Sequence, residues 1–246
     1  MSDALFLSDL GENPAVGGTV TVSGDEARHA VAVRRVRMGE SVLVADGAGR
    51  AVRGVVVAAD KAEMVVEVAE VLVAPRRPHR VIAVQALAKG ERSDLAVETM
   101  TELGVDEIIA WQASRSIVRW QGERGAKSLA KWQSAAREAA KQSRRFTIPP
   151  VSAASTREVA ARLQEIDCVL VLHEDAQQHL ADVDLPATGS IAIVIGPEGG
   201  ISPEELAAFN ASGARQVLIS DGVLRTSTAG AVALGQLNVL ARRQAQ

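Results

Sequence analysis

The chain has 246 residues and a formal net charge of −3, with 47% hydrophobic and 23% charged residues. These proportions are ordinary for a globular protein, and no apolar run approaches the roughly 20 residues that a membrane-spanning helix requires. The N-terminus lacks the pattern of a signal peptide, and the single cysteine, Cys168, lies in an apolar run and is predicted to be a buried thiol. We therefore expect a cytoplasmic protein with no membrane partner.

The first 72 residues predict a small β-rich domain. Short apolar runs separated by glycine-rich turns predict strands at 5–7, 19–22, 41–45, 52–57 and 64–72. One helix, opening near Asp25, carries His29. Residues 73–79 contain two prolines and are predicted to be a linker, so the second domain is expected at 80–246.

Residues 80–246 predict an α/β domain, because strand-like apolar runs alternate with helical ones. The predicted strands are 81–87, 107–111, 168–172, 191–195 and 217–219, and the predicted helices are 94–103, 127–142, 156–163, 203–212 and 227–242. This alternation is typical of a mostly parallel sheet covered by helices on both faces.

Two glycine-rich loops follow the last two predicted strands. One is Gly-Pro-Glu-Gly-Gly at 196–200, and the other contains Asp-Gly at 221–222 and Leu-Arg-Thr at 224–226. Ser202, with Glu205 three residues later, predicts a capped helix start directly after the first loop. Because neighbouring strand ends in an open α/β sheet form ligand crevices, the two loops predict a small-molecule site.

The composition of the loops narrows the class of ligand. The chain has no G-x-x-x-x-G-K-[ST] and no G-x-G-x-x-G motif, and Glu198 stands where a pyrophosphate would require uncharged backbone. An acidic side chain favours a ligand with hydroxyl, amine or sulfonium groups. Two alternatives stay open: a tight turn that binds nothing, and a nucleotide-binding enzyme of the doubly wound type.

The two loops belong to a set of motifs that follow one another in a fixed order. The main ones are the loop with its preceding isoleucine at 195–200 and Leu-Arg-Thr-x-Thr-Ala at 224–229, and shorter ones lie at 29–36, 38–40, 89–90, 102–105, 114–116, 138–145 and 172–174. This ordered set resembles the RsmE-type ribosomal RNA methyltransferases of the SPOUT superfamily. That family often has an arginine before the aromatic residue of its first strand, whereas Ala4-Leu5 precede Phe6 here.

The resemblance implies a methyltransferase that uses S-adenosylmethionine and methylates N3 of a uridine in 16S ribosomal RNA. Because the chain has few aromatic side chains that could read bases, the substrate is expected to be a folded shape such as the assembled small ribosomal subunit, with free RNA as the alternative. The resemblance also implies a fold in which a small PUA-like β-barrel domain precedes a SPOUT-like parallel sheet with a C-terminal trefoil knot, and it implies a homodimer. Two further alternatives stay open: a 2′-O RNA methyltransferase of the same superfamily, and a non-catalytic RNA-binding module.

Candidate residues for the site lie in and around the two loops. Methylation at uridine N3 requires loss of its proton, and a guanidinium can stabilise the negative charge that spreads onto the uracil oxygens. Arg225 is the predicted catalytic residue, with a structural arginine that ties loop carbonyls as the alternative. The predicted cofactor-binding residues are Leu172, His173, Ile195, Gly196, Glu198, Gly199, Ile219, Leu224, Thr226, Thr228 and Ala229.

Positive charge is concentrated in part of the chain. Between Arg115 and Arg145 there are nine basic and two acidic residues, although the net charge is negative. Such segregation predicts contact with a polyanion, with a solvated helix face as the alternative. The chain has no Tyr and only three Phe and three Trp, so arginines and shape are expected to recognise the RNA. The predicted RNA-binding residues are Arg28, Arg34, Arg35, Arg115, Arg137, Arg144 and Arg145.

Other candidate sites are weaker. The four histidines and Cys168 show no metal-ligand spacing, so no metal is predicted. His173, followed by two acidic residues, is compatible with an acid/base cluster or with a strand-end turn that holds a hydrogen-bonded histidine. Ser227 is predicted to be the N-cap of the last helix.

Overall fold

The structure is a computed structural model that describes residues 3–244, apart from the side chain of Glu91. The described chain divides into two compact units. One runs to Arg76 and also contains Ala140–Ile148, here called the returning segment, and the other contains the remainder. The sequence predicts a linker at 73–79, but no pattern in it predicts that the chain contributes to the first unit a second time.

The first unit is built on a five-stranded sheet. Its elements are β1 (Ala4–Leu7), β2 (Thr19–Ser23), α1 (Gly24–Arg28) with a following π-helical turn (His29–Val33), β3 (Ser41–Ala45), β4 (Arg50–Ala59) and β5 (Glu63–Val73). The strands lie in the order β1-β3-β4-β5-β2. The β1–β3 pair is parallel and the other neighbouring pairs are antiparallel.

Both faces of this sheet are covered by apolar side chains. Successive side chains of a strand point to opposite faces, and accordingly Phe6 belongs to one buried cluster and Leu5 to another. Phe146 of the returning segment packs against the second cluster. The same segment is held by a buried ion pair between Lys141 and Glu26 of α1, with 3.0 Å between Nζ and Oε1.

The second unit is built on a six-stranded sheet. Its elements are β6 (His79–Ala86), α2 (Glu91–Glu102), β7 (Glu107–Gln112), α3 (Gly122–Gln142, whose last turn belongs to the first unit), β8 (Val151–Ser155), α4 (Thr156–Leu163), β9 (Cys168–Leu172), β10 (Gly189–Ile195), α5 (Pro203–Ala211), β11 (Arg215–Val217) and α6 (Thr226–Gln244). The strand order is β11-β9-β10-β6-β7-β8. Every neighbouring pair is parallel.

The central strand β6 shows how this sheet is buried on both faces. Val81 and Ala83 belong to a cluster that includes side chains of α2, α3 and α6. Ile82 and Val84 belong to a second cluster with side chains of α4 and α5. The prediction of a parallel sheet covered by helices on both faces is therefore confirmed. Within residues 3–244, no helix is both long and apolar enough to cross a membrane.

Beyond shifts of a few residues at element ends, the structure differs from the predicted elements at β8 and at the start of α6. Strand β8 was not predicted, because its sequence Val-Ser-Ala-Ala-Ser lacks an apolar pattern and it lies at the edge of the sheet, where only Val151 is buried. The prediction that Ser227 is a helix N-cap is wrong, because α6 begins at Thr226 and Ser227 lies inside its first turn. The predicted burial of Cys168 is confirmed.

Candidate active site

A cavity of about 800 Å³ opens at the carboxyl edge of the six-stranded sheet. Its walls are the segments that follow β9, β10 and β11, together with the first residues of α6. The three strands are neighbours in the sheet and run parallel, so the loops that follow them lie side by side at the same edge. This is where an open parallel sheet offers backbone groups and loop side chains to a ligand.

Most of the predicted cofactor-binding residues line this cavity. They are Leu172, His173, Ile195, Gly196, Glu198, Gly199, Ile219, Leu224, Thr226 and Ala229. Thr228 is not among the lining residues. Its side chain is exposed, and its hydroxyl donates to the Arg225 carbonyl at 3.2 Å, so it belongs to the start of α6 and not to the cavity wall.

The loop after β10 is a tight turn that contains glycines at 196, 199 and 200. Gly200 has a φ of +73°, and its amide donates to the Pro197 carbonyl at 2.9 Å. A Cβ on Gly196 would lie 2.8 Å from Cγ1 of Ile201. The Thr226 hydroxyl donates to the Gly196 carbonyl at 3.0 Å, so the start of α6 is bound to this loop.

His173 lies in a strand-end turn at the edge of the cavity. Its amide donates to the Val217 carbonyl at 3.1 Å, which joins the end of β9 to the end of β11. Its Nδ1 accepts a hydrogen bond from the Asp175 amide at 3.2 Å. The imidazole is therefore bonded to its own turn, which favours the structural interpretation of this histidine over the acid/base cluster.

Arg225 occupies the position before the first turn of α6. Its carbonyl accepts hydrogen bonds from the amides of Thr228 at 2.9 Å and Ala229 at 3.0 Å. Its side chain is exposed and lines the cavity. Within the described residues, the guanidinium donates no hydrogen bond to a loop carbonyl and forms no salt bridge.

Charged side chains of both signs line the cavity. The basic ones are Arg92, Arg115 and Arg225, and the acidic ones are Glu174, Asp175, Glu198 and Asp221. Arg92 was not predicted from the sequence to belong to this site. Glu174 and Asp175 were considered with His173 as an acid/base cluster, and Asp221 lies in the second predicted loop, but none of the three was named as a cofactor-binding residue. Arg92 follows the Lys-Gly motif at 89–90 by two residues and lies at the start of α2. Only the fold shows that this helix start lies beside the cavity.

The predicted RNA-binding arginines lie in several parts of the chain. Arg115 is exposed and lines the cavity, and its Nη1 donates to the Gly199 carbonyl at 3.3 Å. Arg28, Arg34 and Arg35 lie on the first unit and are exposed, and Arg28 pairs with Asp25. Arg144 and Arg145 belong to the returning segment, and Arg137 is exposed on α3.

Glu205 lies behind the loops and is almost completely buried, with 4% of its surface exposed. Its carboxylate accepts four hydrogen bonds from three segments. The Ser114 amide and hydroxyl donate at 2.7 and 2.9 Å, the Thr156 hydroxyl at 2.9 Å, and the Ser202 amide at 3.1 Å. The loops after β7, β8 and β10 therefore meet at one side chain.

The pKa of Glu205 is the result of opposing influences. Burial, the largest of them, raises the pKa, because a charged carboxylate loses its hydration. The hydrogen bonds from the Ser114 and Ser202 amides and from the Thr156 and Ser114 hydroxyls together outweigh burial and hold the pKa below its ordinary value of 4.5. Glu205 is thus a carboxylate at neutral pH although it is buried.

The structure offers no metal centre in the part of the chain that it describes. Residues 3–244 contain no group of three or more His, Cys, Asp or Glu side chains arranged to hold a metal ion.

Comparison with known proteins identifies the class to which this fold and site belong. The sequence model of an RNA methyltransferase domain matches residues 75–238, and that of an RNA methyltransferase PUA domain matches residues 22–69. The fold and the cavity are thus those of an RNA methyltransferase with an appended PUA domain. A ribosomal RNA small subunit methyltransferase E from Mycobacterium bovis is 45% identical over 235 residues, which cover 94% of this chain and 90% of that protein. The chain belongs to the ribosomal RNA small subunit methyltransferase E family, and the predicted RsmE-type resemblance is confirmed.

Solved structures of similar proteins agree with this assignment. A ribosomal RNA small subunit methyltransferase E from Neisseria gonorrhoeae, bound to S-adenosylmethionine, is 30% identical with a TM-score of 0.85, covering 97% of this chain and 98% of that one. A methyltransferase from Legionella pneumophila, in complex with its bound cofactor S-adenosylmethionine, is 27% identical with a TM-score of 0.85, covering 99% and 98%.

Proposed function

We propose that the chain is an S-adenosylmethionine-dependent methyltransferase that methylates N3 of a uridine in 16S ribosomal RNA. The observation that carries the proposal is the cavity at the ends of β9, β10 and β11, lined by most of the predicted cofactor-binding residues. Membership of the ribosomal RNA small subunit methyltransferase E family supports the substrate class. The cofactor in the Neisseria and Legionella structures supports the donor.

The residues at the cavity fit S-adenosylmethionine. Leu172, Ile219 and Leu224 offer apolar surface for an adenine ring, and Glu174 and Asp175 offer negative charge to ammonium and sulfonium groups. A volume of about 800 Å³ also falls within the range of roughly 300–1,000 Å³ that is common for small-molecule sites. When bound, the cofactor supplies an electrophilic methyl group on a sulfonium.

Arg225 is the proposed catalytic residue. Uridine N3 becomes nucleophilic only when it loses its proton, and the negative charge then spreads onto the neighbouring carbonyl oxygens. A guanidinium directed at one of these oxygens stabilises charge that develops toward the transition state. Because the exposed Arg225 side chain donates to no loop carbonyl within residues 3–244, it is available to a substrate, which favours this role over a structural one.

The RNA is proposed to be held by exposed arginines. We divide the chain into an RNA-binding domain at 1–72, a linker at 73–79 and a methyltransferase domain at 80–246, and Arg34 and Arg35 are exposed residues of the first. The proposal also includes Arg28, Arg115, Arg137, Arg144 and Arg145. Since the aromatic side chains are few, the substrate is proposed to be a folded surface, the assembled small subunit in the cytoplasm.

A homodimer and a knotted C-terminus are part of the same proposal. Helices α2 and α6 pack against each other, yet apolar side chains on them and at the end of α2 are exposed: Leu95 is 45% exposed, Leu103, which follows α2, 38%, Val232 37% and Val239 51%. A second copy of the chain can cover them. The trefoil knot follows from the SPOUT resemblance and would thread α6, which begins at the cavity, through a loop of the chain.

The test of the function is the mapping of modified nucleosides in 16S RNA by mass spectrometry. Cells that lack the protein should lose N3-methyluridine at one position. The wild-type chain should restore it, and an Arg225→Ala chain of equal abundance should not. Loss of a 2′-O-methyl group instead would contradict the N3 assignment and favour the 2′-O alternative.

Binding measurements separate the remaining alternatives. A rise in melting temperature with S-adenosylhomocysteine is expected, because a ligand that binds the folded state stabilises it. The chain would be a non-catalytic RNA-binding module if it binds RNA, if its melting temperature does not rise with S-adenosylhomocysteine, and if 16S RNA from cells that lack it keeps every modification. Displacement of the ligand by ATP or NAD would favour a nucleotide-binding enzyme.

A further inference from the structure

Glu205 does more than cap its own helix. Ser202 and Glu205 form the reciprocal hydrogen bonds of a capping box at the start of α5, and an exposed glutamate can do this alone. Glu158 does so at the start of α4, where it exchanges hydrogen bonds with Ser155. Glu205 is buried instead, and it also holds Ser114, which is 91 residues away in the chain.

The segment that Glu205 holds is fixed from several sides. The Arg119 guanidinium donates to the Ala113 carbonyl at 3.1 Å and to the Ser114 carbonyl at 2.6 Å. The Ser116 amide donates to the Ala113 carbonyl at 3.1 Å. Arg115 lies between these anchored residues, so its backbone has little freedom and its side chain is directed by the anchors.

The anchored segment lies against the glycine-rich loop of the cavity. A Cβ on Gly199 would lie 3.2 Å from both the Cβ and the carbonyl oxygen of Arg115. The Arg115 guanidinium bonds the Gly199 carbonyl and lines the cavity. Since Arg115 forms no salt bridge within residues 3–244, most of its donors remain available to an anionic ligand.

We propose that Glu205 is a positioning residue that holds Arg115 at the cavity, where the guanidinium binds a phosphate of the RNA strand that delivers the target nucleotide. The inference rests on the proposed function. A guanidinium is suited to this task because its donors match phosphate oxygens in pairs. The two other arginines at the cavity, Arg92 and Arg225, add to the positive potential that attracts the strand.

The charge of Glu205 is compatible with this arrangement. A buried carboxylate usually requires a cation, which would here be Arg115 or Arg119. In the structure, the amides and hydroxyls of Ser114, Thr156 and Ser202 satisfy it instead. Glu205 therefore positions Arg115 without forming an ion pair with its guanidinium.

The experiment compares Glu205→Gln, Arg115→Ala and the double variant in the full-length protein, with Glu158→Gln as the matched control. A glutamine keeps the size of Glu205 but replaces one acceptor oxygen by a donor, so one of the two backbone amides loses its partner. We expect Glu205→Gln and Arg115→Ala each to weaken binding of small ribosomal subunits by about 10-fold. Glu158→Gln, whose side chain does not line the cavity, should leave subunit binding unchanged.

Two measurements distinguish positioning from a general loss of structure. If Glu205 acts only through Arg115, adding Glu205→Gln to Arg115→Ala should cause no further loss of affinity. The double variant should then bind subunits as tightly as the single variant with the lower affinity. Both single variants should also flatten the salt dependence of subunit binding by about one unit in the log–log slope, because one phosphate contact is lost. A structural defect elsewhere would leave this slope unchanged.

Three results would overturn the inference. They are multiplicative losses in the double variant, an unchanged salt slope in Glu205→Gln, and an equal loss of binding in Glu158→Gln. The proposed function fails separately, since a wild-type chain that binds neither S-adenosylhomocysteine nor subunits would contradict it before any variant is compared. Thermal melting of each variant is measured first, and if Glu205→Gln is unfolded, Ser114→Ala, which removes one donor to Glu205, takes its place in the same cycle.

Discussion

At the scale of single residues, the shape of the cavity depends on glycines at positions where a side chain would not fit. The φ of Gly196 is not positive, so its backbone conformation is open to any residue. The requirement at this position is steric, because Ile201 occupies the space where a Cβ would lie. Ile201 is itself buried in the cluster beneath α4 and α5, and it therefore has little room to move away.

Gly196→Val should abolish cofactor binding. The two added methyl groups would push Ile201 or the loop after β10 out of place, and that loop forms one wall of the cavity. Isothermal calorimetry with S-adenosylhomocysteine measures the effect. Gly235→Ala is the control, because a Cβ there meets nothing within 4 Å and alanine favours the helix. Wild-type affinity in a folded Gly196→Val chain would contradict the prediction.

Arg225→Ala should lower turnover by about 10²-fold or more while cofactor affinity changes much less. The side chain is exposed and donates no hydrogen bond to the rest of residues 3–244, so thermal stability should be unchanged. Arg225→Lys keeps the charge but loses the planar set of donors, so its turnover should lie between that of the wild type and that of Arg225→Ala. A parallel fall of stability and cofactor affinity, with unchanged turnover per bound cofactor, would identify Arg225 as a structural residue.

At the scale of elements, the start of α5 joins local and long-range interactions. The capping box between Ser202 and Glu205 was predicted from sequence and is confirmed. The bonds from Ser114 and Thr156 to the same carboxylate were not predicted, because they depend on how β7 and β8 lie beside one another in the sheet. One glutamate thereby connects three loops at the carboxyl edge of the sheet.

The stabilising contribution of Glu205 should depend on pH in a definite direction. Its pKa in the folded protein is lowered from 4.5, so the contribution is complete above that value and is lost as the pH falls through the lower folded-state pKa. Glu205→Gln should therefore reduce the free energy of unfolding by about 1–3 kcal/mol at pH 7. The difference from wild type should shrink below pH 4.5. Urea unfolding across this range measures it, and a difference that grows on acidification would contradict the prediction.

At the scale of the whole molecule, the net charge of −3 conceals an uneven distribution. Exposed arginines occur on the first unit at Arg34 and Arg35 and at the cavity of the second unit at Arg115. Local positive potential, and not net charge, decides whether a polyanion binds. A protein with a negative net charge can in this way bind RNA while other parts of its surface repel it.

Replacing Arg34 and Arg35 by Gln should weaken subunit binding and flatten its salt dependence by about one unit per lost phosphate contact. Affinity for S-adenosylhomocysteine should be unchanged, because neither residue lines the cavity. Arg53→Gln is the control, since its guanidinium is already paired with Asp3 and Glu70. Filter binding from low to high salt measures the slope. An unchanged slope in the double variant would exclude these arginines from the RNA contact.

Point substitutions are preferable to removal of residues 1–72 for locating the RNA contact. Phe146 and Ile148 of the returning segment pack against the second cluster of the small sheet, which contains Leu5 and Leu7. Truncation would expose these side chains and destabilise what remains. A loss of activity in the truncated chain could then come from misfolding and not from lost RNA contacts.

The amino-acid sequence by itself determined most of the regular elements, with β8 as an exception, and most of the residues that line the cavity. Apolar periodicity, the Ser202 cap and the two glycine loops are local patterns, and they were sufficient to predict the parallel sheet and the loops at its edge. The strand order is not readable in this way, because β9 lies between β10 and β11 in the sheet although β10 and β11 follow one another in the chain.

The tertiary structure decided what depends on contacts between distant parts of the chain. It brought Arg115 to Gly199 and Ser114 to Glu205, separations of 84 and 91 residues. It also placed the returning segment in the first unit. None of these follows from periodicity or propensity, because a side chain's neighbours across a sheet edge are fixed by packing and strand register, which no local pattern encodes.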